Sequence, residues 1–508
     1  MMKILTAAQM KSVDRRAIEL GIPSLLLMES AAIAVADAIL ETFPEAARVT
    51  LFCGPGNNGG DGLALARLLD ARGLDVEVFL AWFGRKPSTE AEANRKICEK
   101  AGVSITTLDD EKGIESAVRV AEAGDLVVDA LFGTGLSRPL EAPFSDLVLA
   151  LGSVDAPVVA VDLPSGLDAS THRVSGAVIE AELTVTFVAP KIAHVFSPAS
   201  DYCGEVVVAA ISIPESALEQ ENVAISMITP EAAAALFPRR QRQTHKGTYG
   251  HVAIVAGSPG RSGAALLAAR GSIRSGCGLV TVLSDASTAA AVVARSPEAM
   301  TAIIDAGEGA RKVADVVNRR DAALLGPGLP DDDSSWQFAR ELTAAVQIPA
   351  VVDASALNAF EGRIADLSSS HPRVLTPHPG ELARLLGRDT SAIVDDRLES
   401  AQTAARSSGC VVVLKGDTTL IAVPDGEVFV NPTGNPGMAT GGMGDVLGGI
   451  IASLLAQGHE AIDAAIGGVY LHGLAGDMLE EESSDTGLAA FDLAEALPRA
   501  IARLRESG

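Results

Sequence analysis

The sequence predicts two successive α/β domains, each a parallel sheet wound with helices on both faces, and three observations carry that expectation. Short apolar runs rich in Val, Ile and Leu recur along the chain and alternate with longer helical stretches. Several runs end abruptly in glycine-rich loops, the arrangement that sets phosphate groups at the carboxyl edge of a doubly wound sheet. A length of 508 residues also exceeds what one hydrophobic core holds.

In order, Thr6 and Gln9 form the ends of a capping box that opens the first helix. A second, Ala-rich helix over 24–40 is apolar on more than one face, so it is expected between neighbours. A strand over 48–53 runs into the glycine loop 54–62, and a helix is expected over 63–71. The loop departs from the G-x-G-x-x-G dinucleotide fingerprint because Asn57, Asn58 and Asp61 sit among its glycines. Their oxygens suit a hard monovalent cation or ribose hydroxyls; the plain alternative is an Asn/Gly turn. Strands over 75–81, 125–130 and 158–161 follow, with helices over 88–101 and 144–151. The strand at 125–130 ends in a second glycine loop after Asp129, and the one at 158–161 runs into Asp162-Leu-Pro-Ser-Gly. Three loops at strand ends predict one crevice. Strands at 183–188 and 205–211 complete a domain over 1–213.

The pattern loosens after Pro214, where Arg239-Arg240-Gln241-Arg242 reads as solvated surface, with contact to a nucleotide's charge as the alternative. A domain over 225–508 then restarts the rhythm: strands 251–256, 279–283, 322–325, 350–352 and 410–414, with loops at Gly257, Gly326-Pro-Gly328, Asp353 and Lys415. His378 stands in a Pro-rich turn after another strand end. Two hairpin-like segments reach Val430. The stretch 435–449 is the densest glycine turn, and an apolar helix is expected over 446–455. Backbone N–H groups converge there, and the helix N-terminus adds partial positive charge. Asp445, a carboxylate inside this anion-binding turn, suits proton chemistry beside a phosphate; its plain alternative is a helix cap.

Composition narrows the function. A formal net charge of −25 argues against nucleic acid and anionic membranes as partners. Five scattered cysteines without a CxxC pair fit a reducing, cytoplasmic setting and neither a disulfide framework nor a zinc site. No apolar run reaches the length of a membrane span, and the N-terminus has no signal-peptide core.

These motifs resemble a known family. Lys246-Gly-Thr-Tyr-Gly250, Gly326-Pro-Gly328, Thr376-Pro-His-Pro-Gly-Glu381, Leu414-Lys-Gly416 and the turn ending at Asp445 are similar to the ribokinase-like ADP/ATP-dependent NAD(P)H-hydrate dehydratases. Asn57-Asn-Gly-Gly-Asp61, Asp129-Ala-Leu-Phe-Gly-Thr-Gly135 and Asp162-Leu-Pro-Ser-Gly166 resemble the Rossmann-like, three-layer NAD(P)H-hydrate epimerases. Ser355 departs from the pattern, where an acidic residue is expected.

The resemblance implies repair of NADH or NADPH hydrated at C6 of the nicotinamide ring. An epimerase would interconvert R and S hydrates, and a dehydratase would convert the S hydrate at the expense of ADP. It implies catalytic Asp445 and Asp162. It puts the epimerase substrate on Asn57, Asn58, Gly59, Gly60, Asp61, Gly133, Thr134, Gly135, Leu136, Ser137, Arg138, Pro139 and Asp162, and K⁺ on Asn58, Asp129 and Ser165. It puts the dehydratase substrate on Ala264, Gly328, His378 and Asp445, and ADP on Lys415, Gly416, Asp417, Thr418, Thr419 and Gly444. Mg²⁺ is expected to bridge phosphates. A small-molecule kinase fused to a nucleotide-binding module is the alternative, disfavoured by the epimerase-like half. Ala-rich helices point to a homo-oligomer, tetramer or larger.

Overall fold

A computed structural model describes residues 1–305 and 307–506. The chain divides into two compact units: Lys3–Val223, and Met1–Met2 together with the chain from Ala224 onward.

After β1 (Met2–Lys3), the first unit holds β2 (Arg48–Cys53), β3 (Asp75–Leu80), β4 (Ser104–Thr107), β5 (Leu126–Ala130), β6 (Val158–Val161), β7 (Leu183–Phe187) and β8 (Glu205–Ala209). They form one parallel sheet in the order β4-β3-β2-β5-β6-β7-β8. Along β2, Val49, Leu51 and Cys53 join one apolar layer and Phe52 the other, so helices cover both faces. The strand order reverses between β2 and β5, and the loops leaving both strands open at that point.

The helix after β2 starts earlier than expected, at Asn57 rather than 63, so Asn57–Asp61 form its first turn. The glycines that mimic a loop serve close packing instead. A Cβ at Gly59 would overlap the carbonyl of Gly54, one at Gly54 the carbonyl of Leu131, and one at Gly62 would lie 2.9 Å from Cys53 Sγ. Asn57, Asn58 and Asp61 are therefore held on a rigid helix beside the strand ends. Strand β4 and helix Glu111–Ala123 were not anticipated; β4 is an edge strand of mostly exposed polar residues with no apolar run to mark it.

The second unit adds β9 (Ile225–Met227), β10 (His251–Val255), β11 (Leu279–Ser284), β12 (Met300–Ile303), β13 (Ala322–Leu325), β14 (Ala350–Val352), β15 (Arg373–Leu375), β16 (Val411–Leu414), β17 (Leu420–Ala422) and β18 (Val428–Val430). The sheet order is β1-β9-β18-β17-β16-β15-β14-β13-β10-β11-β12. Strands β10 to β16 run parallel, and β16-β17-β18 pair antiparallel. Here the order reverses between β13 and β10, where Gly257 N donates to Pro327 O at 2.7 Å. The apolar helix Met443–Ala456 is buried along nearly its whole length against this sheet. No described helix is long and apolar enough to cross a membrane.

Candidate active sites

In the first unit, four loops at the carboxyl edge of the sheet meet around Asp162. This residue follows β6 directly, is 8% exposed and takes a left-handed backbone with φ of 67°. Such a conformation in a non-glycine residue costs about 1–3 kcal/mol and persists only when its surroundings fix it. The fixing groups are visible: its N–H donates to Val185 O at 2.8 Å, and its carbonyl lies 2.9 Å from His194 Nε2. His194 Nδ1 accepts from the Lys191 N–H at 2.9 Å, which leaves Nε2 as the donor to Asp162. Burial keeps this imidazole neutral, its pKa pushed down to about 3.

The Asp162 carboxylate is held by Lys191, whose Nζ donates to Oδ1 at 2.9 Å, to Thr186 Oγ1 at 2.7 Å and to the Phe187 carbonyl at 3.1 Å. Thr186 Oγ1 donates to Oδ1 at 3.1 Å, and the Thr134 N–H to Oδ2 at 3.2 Å. Burial works to raise the Asp162 pKa, but the lysine charge and its hydrogen bond bring it below the ordinary carboxylate value. Two further carboxylates are pushed the other way. Asp61 rises well above the usual range through burial and the charges of Asp162 and Asp14, and Asp14 rises to about 6, chiefly through burial.

Asp129, at the end of β5, is fully buried. Ser165 donates to it from N at 2.7 Å and from Oγ at 2.7 Å, and Leu131 N–H at 3.1 Å. Burial lifts its pKa to about 6. Phe132 N–H donates to Ser165 Oγ at 2.9 Å, and at the next residue a Cβ on Gly133 would lie 2.7 Å from Asp162 Oδ2 and 3.0 Å from Asn58 Oδ1. Asn58 Nδ2 is buried with no partner. The structure thus brings Asn58, Asp129, Gly133, Thr134, Asp162 and Ser165 together, with Asp61 within electrostatic reach. Asn57, Gly135, Ser137, Arg138 and Pro139 lie exposed on the flank of the same loops. Gly60 is different, since its missing side chain admits Met28.

Asp14, Thr186, Lys191 and His194 were missed from sequence. A legible signal existed for the last two: Lys191-Ile-Ala-His194 follows β7 and its loop, at the same sheet edge as the three loops already identified.

In the second unit, Asp445 lies in the first turn of helix Met443–Ala456, behind Gly442, which takes φ of 93° as N-cap. Burial first, then the charge of Asp353, raises its pKa to about 7, with Lys415 opposing. Lys415 Nζ donates to Asp353 Oδ1 at 3.0 Å and stands 3.8 Å from Glu381 Oε2. A Cβ on Gly444 would lie 3.3 Å from that ammonium, so the glycine keeps the lysine within reach of the helix N-terminus. His378 caps the helix Pro379–Leu386, its Nδ1 accepting from Gly380 N–H at 3.0 Å and Glu381 N–H at 3.3 Å. Burial lowers its pKa.

The segment Lys415–Thr419 is anchored by Arg397, unrecognised from sequence, whose Nη2 donates to the Thr418 carbonyl at 2.8 Å. The Asp477 carboxylate accepts from Gly434 N–H at 3.0 Å and Asn435 Nδ2 at 3.2 Å and so ties down the start of the glycine turn. A Cβ on Gly328 would lie 2.9 Å from Ala264 Cβ, which places these two side by side where the strand order reverses. A cavity of about 440 Å³ opens beside them, over the ends of β10 and β11, lined by Gly257, Ser258, Ser284 and Leu329. Ser355 supports the cavity wall: its Oγ donates to the Leu329 carbonyl at 3.0 Å. Among the described residues no group of three or more His, Cys, Asp or Glu could hold a metal ion.

Comparison with known proteins gives the same division. Residues 252–499 match the family described as NAD(P)H-hydrate dehydratase, and residues 24–193 that described as YjeF-related protein N-terminus. The bifunctional NAD(P)H-hydrate repair enzyme of Moorella thermoacetica is 41% identical over 517 residues, covering 99% of this chain and 98% of the relative. That of Escherichia coli K12 is 35% identical over 485 residues, 95% of this chain and 90% of the relative. The crystal structure of the ADP/ATP-dependent NAD(P)H-hydrate dehydratase from Bacillus subtilis, co-crystallized with ATP/Mg²⁺, is 36% identical. It matches with a TM-score of 0.50 over 55% of this chain and 98% of that one.

Proposed function

The chain belongs to the bifunctional NAD(P)H-hydrate repair enzymes, and from that premise we propose how its two sites divide the work. The activity is repair of hydrated nicotinamide cofactors, by an epimerase and an ADP- or ATP-dependent dehydratase on one chain. The small-molecule kinase alternative falls with 41% identity to a repair enzyme over 99% of the chain.

The dehydratase reading rests on one observation above all: a half-buried carboxylate near pKa 7 at a glycine-capped helix N-terminus, with a lysine ammonium against that turn. Asp445 accepts the proton of the C6 hydroxyl as that oxygen attacks the terminal phosphoryl group of ADP. The first-turn N–H groups of the helix meet charge on the transferring phosphoryl, and AMP leaves. The ring nitrogen lone pair then expels inorganic phosphate from C6, and loss of the C5 proton restores the dihydropyridine. Lys415 to Thr419 and Gly444 carry the nucleotide; Ala264, Gly328 and His378 face the hydrate, whose remaining length extends into the neighbouring cavity. Mg²⁺ would enter with the phosphates rather than on a protein cluster. ADP in preference to ATP is part of the proposal.

In the epimerase site the carboxylates are set apart in pKa, the pattern that separates acid from base. Asp61 keeps its proton and delivers it to the departing C6 oxygen as the ring nitrogen lone pair moves in. Water returns on the opposite face of the ring and gives its proton to ionised Asp162. Asn58, Asp129 and Ser165 fit K⁺: they supply amide, carboxylate and hydroxyl oxygens, and Asp129 is a buried carboxylate whose hydrogen-bond donors are Ser165 and a backbone N–H. Such an ion would hold the loops that carry Thr134 and Asp162. The hydrates and ADP are the small-molecule partners, and a homo-oligomer of four or more chains remains part of this reading.

The test is recovery of reduced-nicotinamide absorbance from a mixture of R and S hydrates. Full recovery is expected only with ADP or ATP present; no recovery with either nucleotide overturns the assignment.

A further inference from the structure

The charge of this protein is distributed unevenly in one place. Asp and Glu outnumber Lys and Arg by 65 to 40. Yet a cavity of about 610 Å³ in the second unit is lined by Arg239, Arg240, Arg274 and Arg505 together with His459, and by no carboxylate among its described lining residues. The run at 239–242 is exposed, as expected from sequence, and its first three residues, Arg239, Arg240 and Gln241, line this concave site.

Three of the four arginines are held in place rather than trailing in solvent. Arg240 lies over the Tyr249 ring, its guanidinium 3.6 Å from the centroid, and donates to the Gly276 carbonyl. Arg505 Nε donates to the Phe237 carbonyl at 2.7 Å and Nη2 to the Pro238 carbonyl at 2.8 Å. Arg274 is paired with Glu495. Arg505 is partly desolvated, and the charges of Arg239 and Arg240 bear on it. Like charges fixed together without a lining anion raise the free energy of the empty site, and an anion relieves it.

The location is distinct from the catalytic loops. Tyr249 and Gly276 precede β10 and β11, so the cavity lies at the amino ends of the strands, whereas Asp353 and Lys415 follow their carboxyl ends. Leu454 and Gln457 bring the far end of the Asp445 helix to the cavity wall, about 18 Å along the helix from Asp445. Those helix carbonyls do not consume the arginines: Arg240 donates to Gly276, Arg505 to Phe237 and Pro238, and Arg274 to Glu495. Leu236, Phe237, Pro498 and Ile501 add an apolar patch to the wall, beside the polar Gln241, Thr244, Thr248 and Ser275.

We propose that this cavity is a second ligand site, taking a phosphomonoester carried on an apolar or aromatic body. The guanidinium groups bind the phosphate oxygens through charge-assisted hydrogen bonds, and the apolar patch receives the body.

Phenyl phosphate carries both features and serves as the probe. Calorimetric titration of the full-length protein at low salt is expected to show a binding event that weakens at least tenfold in Arg239→Ala/Arg240→Ala and in Arg505→Gln, and that Asp445→Asn retains. The arginine variants keep the ADP-dependent dehydratase rate measured without the probe, which separates loss of the site from loss of the fold. Affinity unchanged in both arginine variants overturns the proposal. So does an absence of binding to wild type; a change in sedimentation of the arginine variants alongside it would make the cavity an interface between copies of the chain.

Discussion

Lys415 places its ammonium on Asp353, with Nζ 3.0 Å from Oδ1, and so pairs with a carboxylate other than the one proposed to act as base. Asp445 is left to burial and to the net field of Asp353, Glu381 and Lys415, which together hold its pKa at about 7. A base must be ionised, so the dehydratase rate should fall as pH drops through about 7. Asp353→Asn removes a raising charge and frees the lysine to favour ionised Asp445. The acid limb of its pH–rate profile should therefore move to lower pH, as measured by absorbance recovery from S hydrate. A limb that stays in place would disconnect Asp353 from Asp445.

Asp445→Asn keeps the shape of the turn and loses the proton acceptor. The expected loss is on the order of 10²–10⁴-fold in turnover, with nucleotide affinity retained in a binding titration. Loss of nucleotide binding in step with turnover would reduce Asp445 to a helix cap.

The sequence was most legible where chemistry and backbone geometry coincide. Strands β2, β6, β13 and β14 were read at their observed ends because mostly apolar runs stop at glycine or aspartate. The helix start at Asn57 was misread because glycine carries two meanings, turn and close packing, and only the Gly54 and Leu131 carbonyls nearby distinguish them. Asp14 was not legible, since nothing local marks it: its position near Lys191 and Asp162 is a product of packing. The same holds for Arg397, which is far from Lys415 in sequence and meets its loop only in the folded domain.

The second meaning of glycine is testable at Gly59. An added Cβ would overlap the Gly54 carbonyl, a backbone atom that cannot swing aside. Gly59→Ala should lower the melting temperature of the first domain and its epimerase activity together. Gly113→Ala, in helix Glu111–Ala123, meets nothing closer than 3.5 Å and should stabilise by about 0.4–1 kcal/mol. Equal behaviour of the two variants would reject the packing account.

His194 and His472 are held neutral by burial, with pKa values pushed down to about 3 and about 4. His472 Nε2 lies 3.0 Å from the Met443 carbonyl, at the first residue of the Asp445 helix. Nitrogen-15 spectra at pH 5 should show both rings neutral, with the proton on Nε2. The unfolded chain takes up these protons near pH 6.5, so each ring's contribution favours unfolding as pH falls from there toward its folded pKa. A protonated His194 at pH 5 would contradict the geometry that fixes Asp162.

Lys191 separates electrostatic support from catalysis in the first domain. Its side chain is 1% exposed and that of Asp162 11%, so Lys191→Met strands a buried carboxylate without its cation. Removing one partner of such a pair costs roughly 3–5 kcal/mol. Asp162→Asn in the same chain removes the stranded charge, and the double variant should recover much of the lost melting temperature. It should not recover epimerase activity, because the proton acceptor is gone. In both variants the S fraction of a hydrate mixture should still be repaired rapidly with ADP, while the R fraction follows only its uncatalysed conversion. Rapid repair of both fractions by the double variant would remove Asp162 from the reaction and leave the Lys191 pair a purely structural feature.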